Sequence, residues 1–350
     1  MYRRRGPGNL RLNGPPEEAS ISNFLTSSGT FRDGDLILNR NGLSLVSQGV
    51  PAVPQSQVSG LSLEDLETIR VLGRGTGGVV HLVSHMWTRE LYAVKVIPMR
   101  IEERERKQIA RELKINGRVQ NEFVVVCHGV FLENGNISMV LEYMDRGSLA
   151  DVLRSCRTIP EHLLAVICKQ VLEGLLHLHQ EIHVIHRDLK PSNLLVNSRG
   201  QVKITDFGVS AVLGSSIGQQ NTFIGTYIYM SPERVRGGLH SYDSDVWSLG
   251  LVLLECALGY FPYVAPAQSE GWRNVYELVD VIERQPPPVA PRDQFSPEFC
   301  SFISGCLRKE PTYRISVAEL LQHPFLRRYR TYTREHLATF INELVPSSVS

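Results

Sequence analysis

The spacing of apolar residues changes near Gly147, and this change constrains the fold more than any other feature of the chain. Before Gly147, short apolar runs bounded by turn residues predict strands at residues 69–73, 79–83, 91–97, 124–131 and 137–143. Residues 102–117, which lie between the third and fourth of these predicted strands, have the spacing of an amphipathic helix. After Gly147 the spacing is helical, with long segments at residues 160–180, 243–258, 275–283 and 297–307. We therefore predict an α+β fold with a small β-rich lobe, a larger helical lobe, and any active site between them.

Length and charge exclude several other classes of protein. The chain has 350 residues, 42% of them apolar, and 37 Lys and Arg against 36 Asp and Glu leave a net charge of +1. This balance predicts no nucleic-acid partner. The longest uncharged apolar stretch, residues 246–254, is far shorter than the roughly 20 residues that span a bilayer, so we expect no membrane insertion. The six cysteines lack the spacing of zinc ligands, which predicts free thiols and a cytoplasmic protein, with the nucleus as a second compartment.

Residues 1–60 differ in composition from the rest of the chain. They are rich in Gly, Pro, Ser, Asn and Gln, which predicts a flexible arm. Several apolar residues within the arm are candidates for docking on the main body, namely Ile21, Phe24, Leu25, Phe31, Leu36 and Leu38.

A glycine-rich segment matches the pattern G-x-G-x-x-G-x-V. Its residues are Gly73, Arg74, Gly75, Thr76, Gly77, Gly78 and Val80. Glycine is needed because backbone N–H groups must approach phosphate oxygens with no side chain between them. A dinucleotide-binding unit would continue directly into a helix. Here a strand-like run follows instead, and then Ala93 and Lys95, which favours a lid over a nucleoside triphosphate.

Lys95 has a candidate partner in the predicted helix that follows. Glu112 lies 17 residues further on, beside Leu113 on the more apolar side of the helix. A Lys–Glu pair of this kind holds the ammonium over the α- and β-phosphates. The simpler alternative is a lysine of an edge strand with a solvated head group.

The strongest signal is the run from His186 to Asn193, HRDLKPSN, followed by an Asp-Phe-Gly that begins at Asp206. Phosphoryl transfer needs a carboxylate near the acceptor hydroxyl and oxygen ligands for Mg²⁺. Asp188 suits the first role, and Asn193 and Asp206 suit the second. Lys190 is placed to neutralise charge on the transferred phosphate. A loop Asp is ordinarily a turn-former, but that explanation does not predict the whole set in this order.

These motifs together resemble those of a eukaryotic protein kinase over residues 66–326, and more narrowly those of a mitogen-activated protein (MAP) kinase kinase of the plant type. The narrower resemblance rests on residues 21–35, 147–149, 206–213 and 225–234. It implies an N-terminal arm at residues 1–65 with a docking motif and a candidate regulatory segment. It also implies a kinase domain with lobes 66–144 and 145–326, and a C-terminal tail at 327–350.

The resemblance also implies roles for single residues. Glu142 and Met144 are expected to contact adenine through their backbone groups, so that their side-chain identity matters little. Glu233 is expected to pair with Arg314 inside the larger lobe. Asp245 is expected to anchor the catalytic loop from a central helix.

The implied activity is ATP- and Mg²⁺-dependent phosphorylation of both Thr and Tyr in the T-x-Y activation loop of a MAP kinase. An upstream kinase is expected to activate the chain at Ser216 and Thr222, which have the spacing of plant members. Phosphate there is expected to pair with Arg187. A pseudokinase scaffold that tethers a MAP kinase is the alternative. A dinucleotide oxidoreductase is supported by the glycines alone.

The N-terminal arm contains a candidate docking peptide. Its basic residues, Arg3, Arg4 and Arg5, precede an L-x-L pair formed by Leu10 and Leu12. Guanidinium groups followed by two leucines suit an acidic patch beside apolar pockets. An ordinary basic terminus is the alternative from the residues alone, and the resemblance favours docking to a MAP kinase.

Overall fold

The computed structural model describes most of the kinase-like region and a short part of the N-terminal arm. The described residues are 30–33, 35–45, 61–75, 78–98, 109–110, 113–116, 119–206, 228–238, 241–263 and 275–344.

The N-terminal half of the described chain contains two antiparallel sheets. Phe31–Asp33 (β1), Leu36–Asn39 (β2) and Gly42–Leu45 (β3) form a small sheet. The larger sheet has five strands, Leu66–Gly75 (β4), Gly78–His85 (β5), Leu91–Pro98 (β6), Cys127–Glu133 (β7) and Asn136–Glu142 (β8). Their order is β4-β5-β6-β8-β7, so β6 lies at the centre of the sheet. The predicted five strands are confirmed.

The turn between β7 and β8 shows how local sequence sets strand register. Asn134 and Gly135 have φ angles of 50° and 72°, and they separate the paired residues Glu133 and Asn136. Positive φ at both positions is the requirement of a two-residue type I′ hairpin, for which Asn-Gly is strongly preferred.

Strand β7 begins three residues later than predicted. Val124 forms a parallel bridge with Ile204, and the backbone N–H of Val125 donates to the Ile204 carbonyl at 2.9 Å. The apolar run that starts at Val124 therefore serves two purposes. Its first residues join the helical lobe, and only the remainder pairs within the five-stranded sheet.

The C-terminal half is mainly helical, as predicted. Its helices are Leu149–Cys156 (α1), Glu161–Gln180 (α2), Pro232–Val235 (α3), Asp243–Leu258 (α4), Val275–Arg284 (α5), Pro297–Cys306 (α6), Val317–Leu321 (α7), Pro324–Arg328 (α8) and Arg334–Leu344 (α9). A hairpin of Leu194–Val196 (β9) and Val202–Ile204 (β10) lies between α2 and α3. Helices α2 and α4 form the centre of the largest apolar cluster, which explains why α4 is buried along nearly its whole length. None of the helices described here is long and apolar enough to cross a membrane.

The N-terminal arm is more structured than its composition predicts. Residues 31–33 and 35–45 form the sheet β1–β3, and the docking candidates Phe31, Leu36 and Leu38 are buried in one apolar cluster with residues of the larger sheet. The other candidates, Ile21, Phe24 and Leu25, lie outside the described residues.

The expected C-terminal tail contains the ordered helix α9. Leu337 and Ile341 of this helix are fully buried, and Arg146 Nε donates to Asn342 Oδ1 at 2.9 Å. At Gly200 an added Cβ would lie 2.1 Å from the carbonyl oxygen of Arg334, so this turn depends on glycine to let α9 approach.

The predicted pair of Glu233 and Arg314 is present in the helical lobe. Arg314 donates from both terminal nitrogens to the two Glu233 carboxylate oxygens, at 2.7 and 2.6 Å. Burial alone would raise the pKa of Glu233, but the hydrogen bonds from Arg314 outweigh it and lower that pKa. Arg314 also donates to the carbonyls of Arg308, Lys309 and Asp243, so one guanidinium ties α3 and α4 to the chain before α7.

Candidate active site

The glycine-rich segment is the hairpin between β4 and β5. Gly75 pairs with Gly78 across it, and Gly73 pairs with Val80. Gly78 has a φ of 122°, and an added Cβ would lie 2.0 Å from the Val96 carbonyl oxygen on β6. At Gly73 and Gly75 an added Cβ would meet nothing within 4 Å. Gly78 is therefore required by the sheet, whereas Gly73 and Gly75 leave open space beside bare backbone, as a phosphate-binding hairpin needs.

Lys95 extends from the central strand β6 and is 7% exposed. Its ammonium donates to Asp206 Oδ1 at 2.5 Å. Burial by itself would raise the pKa of Asp206, but the Lys95 charge and hydrogen bond dominate and lower it. Asp206 is consequently held as a carboxylate. Lys95 and Asp206, which are 111 positions apart in sequence, therefore form an ion pair between the two lobes.

Apolar side chains from both lobes meet beside this ion pair. They belong to one cluster, in which Ala93, Leu141 and Met144 are buried and Leu72, Val80 and Leu195 are partly buried. The first five come from the β-rich lobe and the segment that leaves it, and Leu195 comes from β9. The set therefore joins apolar side chains of both lobes, and ligand pockets in proteins are lined mainly by such side chains.

The Glu142 side chain makes contacts that were not expected. Its two carboxylate oxygens accept from Lys203 Nζ at 2.8 and 2.7 Å, and Lys203 is 6% exposed. The pair links the end of β8 to β10, immediately before Thr205 and Asp206. The expectation that the identity of the Glu142 side chain matters little is therefore wrong, because breaking a buried ion pair leaves an uncompensated charge.

The catalytic loop is anchored by the fully buried Asp245 of α4, as expected. Asp245 accepts from the backbone N–H groups of His186 at 2.8 Å and Arg187 at 2.9 Å, and His179 Nε2 lies 2.8 Å from its Oδ2. Burial would raise the pKa of Asp245, but the His179 hydrogen bond and the nearby His186 lower it. The ionised carboxylate therefore holds Arg187 at a φ of 72°, a left-handed conformation that is costly for a residue other than glycine.

Asp188 lies at the centre of a small polar network and is 4% exposed. Its Oδ2 lies 2.9 Å from Lys190 Nζ and 3.1 Å from Asn193 Nδ2. Asn193 Nδ2 also donates to the Asp188 carbonyl at 2.8 Å, and Asn193 O accepts from the Thr205 N–H at 3.0 Å. The carboxylate is thus fixed between a cation and an amide, and the network continues directly to the residue before Asp206.

Asn193 and Asp206 fit the role of Mg²⁺ ligands. The amide nitrogen of Asn193 is committed to Asp188, so the amide presents its oxygen on the other side, and Asp206 is an ionised carboxylate. Within the part of the chain that the structure describes, no group of three or more His, Cys, Asp or Glu side chains could hold a metal by itself. Asn193 and Asp206 would supply two oxygen ligands, and a Mg²⁺ that is bound together with substrate phosphates takes one or two such ligands from the protein.

The structure brings together Lys95, Asp188, Lys190, Asn193 and Asp206, as the motifs predict. Several other predicted site residues lie outside the described residues: Thr76, Gly77, Glu112, the loop residues Ser216 and Thr222, and the arm residues Arg3, Arg4, Arg5, Leu10 and Leu12.

Four residues of the site were missed at the level of sequence. Leu72 directly precedes the first motif glycine and Leu195 follows Asn193 by two positions, so proximity to a motif was a usable signal for both. Arg234 directly follows Glu233 within the segment 225–234 and had the same signal, whereas Lys203 had none. Arg234 Nη1 donates to the Arg187 carbonyl, a contact across 47 residues.

Comparison with known proteins gives consistent matches over nearly the whole chain. A profile described as "Protein kinase domain" matches residues 66–326. "Mitogen-activated protein kinase kinase SIPKK" of Nicotiana tabacum is 58% identical over 325 residues, covering 92% of this chain and 91% of that protein. "Mitogen-activated protein kinase kinase 1c" of Physcomitrium patens is 54% identical, covering 94% and 97%. "Mitogen-activated protein kinase kinase 2" of Arabidopsis thaliana is 52% identical, covering 96% and 93%.

The two hairpin glycines are expected to respond differently to alanine. Gly78→Ala places a Cβ against the Val96 carbonyl at positive φ, so it should lower the free energy of unfolding by about 1–3 kcal/mol. Gly75→Ala meets no atom, so stability should be kept while affinity for a nucleoside triphosphate falls about tenfold through loss of backbone contact. Denaturant unfolding and nucleotide titration measure the two effects. A stable Gly78→Ala, or a Gly75→Ala with unchanged affinity, would contradict this assignment.

Proposed function

Because the chain belongs to the protein kinase family, and within it to the MAP kinase kinases, we propose that it transfers the γ-phosphoryl group of ATP to both Thr and Tyr of a T-x-Y loop in a MAP kinase. The observation that carries the proposal is the convergence of Lys95, Asp188, Lys190, Asn193 and Asp206 from both lobes on one cleft. It is a protein kinase, and no feature favours the pseudokinase alternative, since none of these residues is missing.

On the acceptor side, Asp188 would orient the substrate hydroxyl and accept its proton. The hydroxyl oxygen forms a bond to the γ-phosphorus as the bond from that phosphorus to the β,γ-bridging oxygen breaks, and ADP leaves. Lys190, 2.9 Å from Asp188, would neutralise the charge on the transferred phosphoryl group. Asn193 keeps the carboxylate oriented through its amide nitrogen, so little reorganisation is needed at the moment of reaction.

On the nucleotide side, Lys95 and Asp206 would each exchange the other for a new partner with the same sign of charge as the old one. Lys95 would turn to the α- and β-phosphates under the Gly73–Gly78 hairpin. Asn193 and Asp206 would hold Mg²⁺, which when bound neutralises phosphate charge. The adenine would lie between the apolar side chains already described, with Leu72 and Val80 on one face and Leu195 on the other.

The proposal predicts that the full-length chain, activated by an upstream kinase, phosphorylates both loop residues of a catalytically inactive MAP kinase. Mass spectrometry of the T-x-Y peptide measures the product. Asp188→Ala and Lys95→Met should each lower turnover by at least about 10³-fold while thermal unfolding stays cooperative. Asp145→Ala, which removes a carboxylate outside the network, is the matched control. The proposal would be refuted if neither the Thr nor the Tyr of the peptide became phosphorylated. Wild-type turnover in Asp188→Ala would refute it as well.

We propose that Ser216 and Thr222 are the activating phosphorylation sites. Support comes from Arg187, whose Nε is buried with no hydrogen-bond partner among the described residues and is available to a phosphate. A Ser216→Ala, Thr222→Ala double variant should lose activation by the upstream kinase, with Ser215→Ala as the control. Full activation of the double variant, measured as the rate of MAP kinase phosphorylation, would exclude these sites.

We propose that the arm Arg3–Leu12 binds the substrate MAP kinase. Three arginines followed by an L-x-L pair suit an acidic groove beside apolar pockets. Replacing Leu10 and Leu12 with Ala should raise the KM for the MAP kinase severalfold and leave kcat unchanged. Arg11→Ala, between the two leucines, is the control. An unchanged KM across a panel of MAP kinases would remove the docking role.

The proposed substrate and upstream kinase are intracellular, so we propose a cytoplasmic location with the nucleus as a second compartment. Fluorescence imaging of the full chain with a tag at either terminus tests this location, and exclusion from the cytoplasm would refute it.

A further inference from the structure

The small sheet β1–β3 has one fully buried face. Phe31, Leu36, Leu38 and Leu43 are between 0% and 5% exposed, although they belong to a segment whose composition predicts a flexible arm. Strand β2 alternates, with Leu36 and Leu38 buried and Ile37 between them partly exposed, as a strand packed on one side requires. Burial of four large side chains is a substantial apolar contact for three strands of three or four residues each.

The buried face packs on β7, the edge strand that lies two strands from the one that carries Lys95. Strands β2 and β3 both lie against β7. The shared apolar cluster continues through Val130 and Leu132 of β7 to Met139 of β8, which is paired with Lys95 itself. The small sheet therefore packs into the apolar cluster on the same side of the five-stranded sheet as Lys95, because paired residues of neighbouring strands lie on one face.

The same face reaches the helix predicted to carry Glu112. Ile109, Ala110 and Leu113 are at most 3% exposed and belong to the cluster that contains the buried face of β1–β3. In addition, Asp35 in the turn between β1 and β2 forms an ion pair with Lys114. Helical residues on both sides of position 112 are thus in one apolar cluster with the small sheet. The ion pair between Asp35 and Lys114 further restricts how the helix lies against this sheet.

We propose that Leu36, Leu38 and Asp35 are positioning residues for phosphoryl transfer. They hold the helix around position 112 and the strands around Lys95 in one fixed relation, so that Glu112, the partner that the sequence predicts for Lys95, would be available when the phosphates bind. The sheet β1–β3 then belongs to the catalytic domain, and this domain therefore begins upstream of residue 66. This inference rests on the proposed function, because it concerns the turnover of that reaction.

The first test compares Leu38→Ala with Ile37→Ala in the full chain. The two residues are neighbours on opposite faces of β2, so both variants remove an aliphatic side chain from the same strand. Leu38→Ala should lower kcat at least about fivefold, leave the KM for the MAP kinase unchanged, and speed amide hydrogen exchange at residues 109–116 but not at 161–180. Ile37→Ala should change none of these. Unchanged kcat, or a kcat loss matched by faster exchange at 161–180, would overturn the proposal.

The second test does not disturb the apolar core. Asp35→Lys places two like charges together and should lower kcat about two- to fivefold, the range expected for a partly exposed pair. The double variant Asp35→Lys, Lys114→Asp restores the opposite charges and should recover wild-type kcat. A loss without recovery, or no loss at all, counts against a positioning role.

Failure of this proposal is distinguishable from failure of the proposed function. If the wild type phosphorylates the T-x-Y loop and the Leu38 and Asp35 variants match it, only the positioning role is wrong. If the wild type does not phosphorylate the loop, the proposed function is wrong. The hydrogen-exchange comparison would then report alone on whether β1–β3 holds the helix, and equal exchange in Leu38→Ala and wild type at residues 109–116 would overturn the positioning role as well.

Discussion

The buried carboxylate of Asp245 fixes the backbone conformation of the catalytic loop. Asp245 accepts hydrogen bonds from the backbone N–H groups of His186 and Arg187, and Arg187 holds a left-handed conformation that would otherwise be unfavourable. Because α4 is buried along nearly its whole length, its position is set by the core of the helical lobe. The hydrogen bonds to this carboxylate therefore fix the loop that carries Asp188 relative to that core.

Around this anchor, side-chain charges neutralise one another in pairs, two of which join parts of the chain that are distant in sequence. Lys95 and Asp206 join the two lobes, Lys190 accompanies Asp188, and Lys203 holds Glu142. Two of these pairs, Lys95 with Asp206 and Lys190 with Asp188, are the ones that ATP and the acceptor would exchange for new partners. The Glu142–Lys203 pair links the end of β8 to β10 and has a structural role.

The sequence predicted the parts of this arrangement that follow from local patterns. The strand positions β5 and β6 and the helix at 161–180 were predicted from periodicity, the motif residues were singled out by their order and spacing, and the expected contacts of Asp245 and Glu233 came from the resemblance. Sheet β1–β3 was missed because strands of three or four residues carry little periodicity, and their packing partner β7 lies about ninety residues away. The Lys203–Glu142 pair was missed for a similar reason, since 61 residues separate its partners. Contacts that depend on tertiary packing leave no local signal.

The dependence of the site on Asp245 is measured most directly by the turnover of Asp245→Asn. The N–H groups of His186 and Arg187 donate to different oxygens of Asp245, so in the amide one of them would face an NH2 group, which cannot accept. We predict a kcat lower by about 10- to 100-fold, with the KM for ATP changed less than about twofold, because the Gly73–Gly78 hairpin and the expected adenine contacts Glu142 and Met144 are untouched. Asp243→Asn in the first turn of the same helix is the control and should retain full turnover. Wild-type kcat in Asp245→Asn would contradict the central role of this carboxylate.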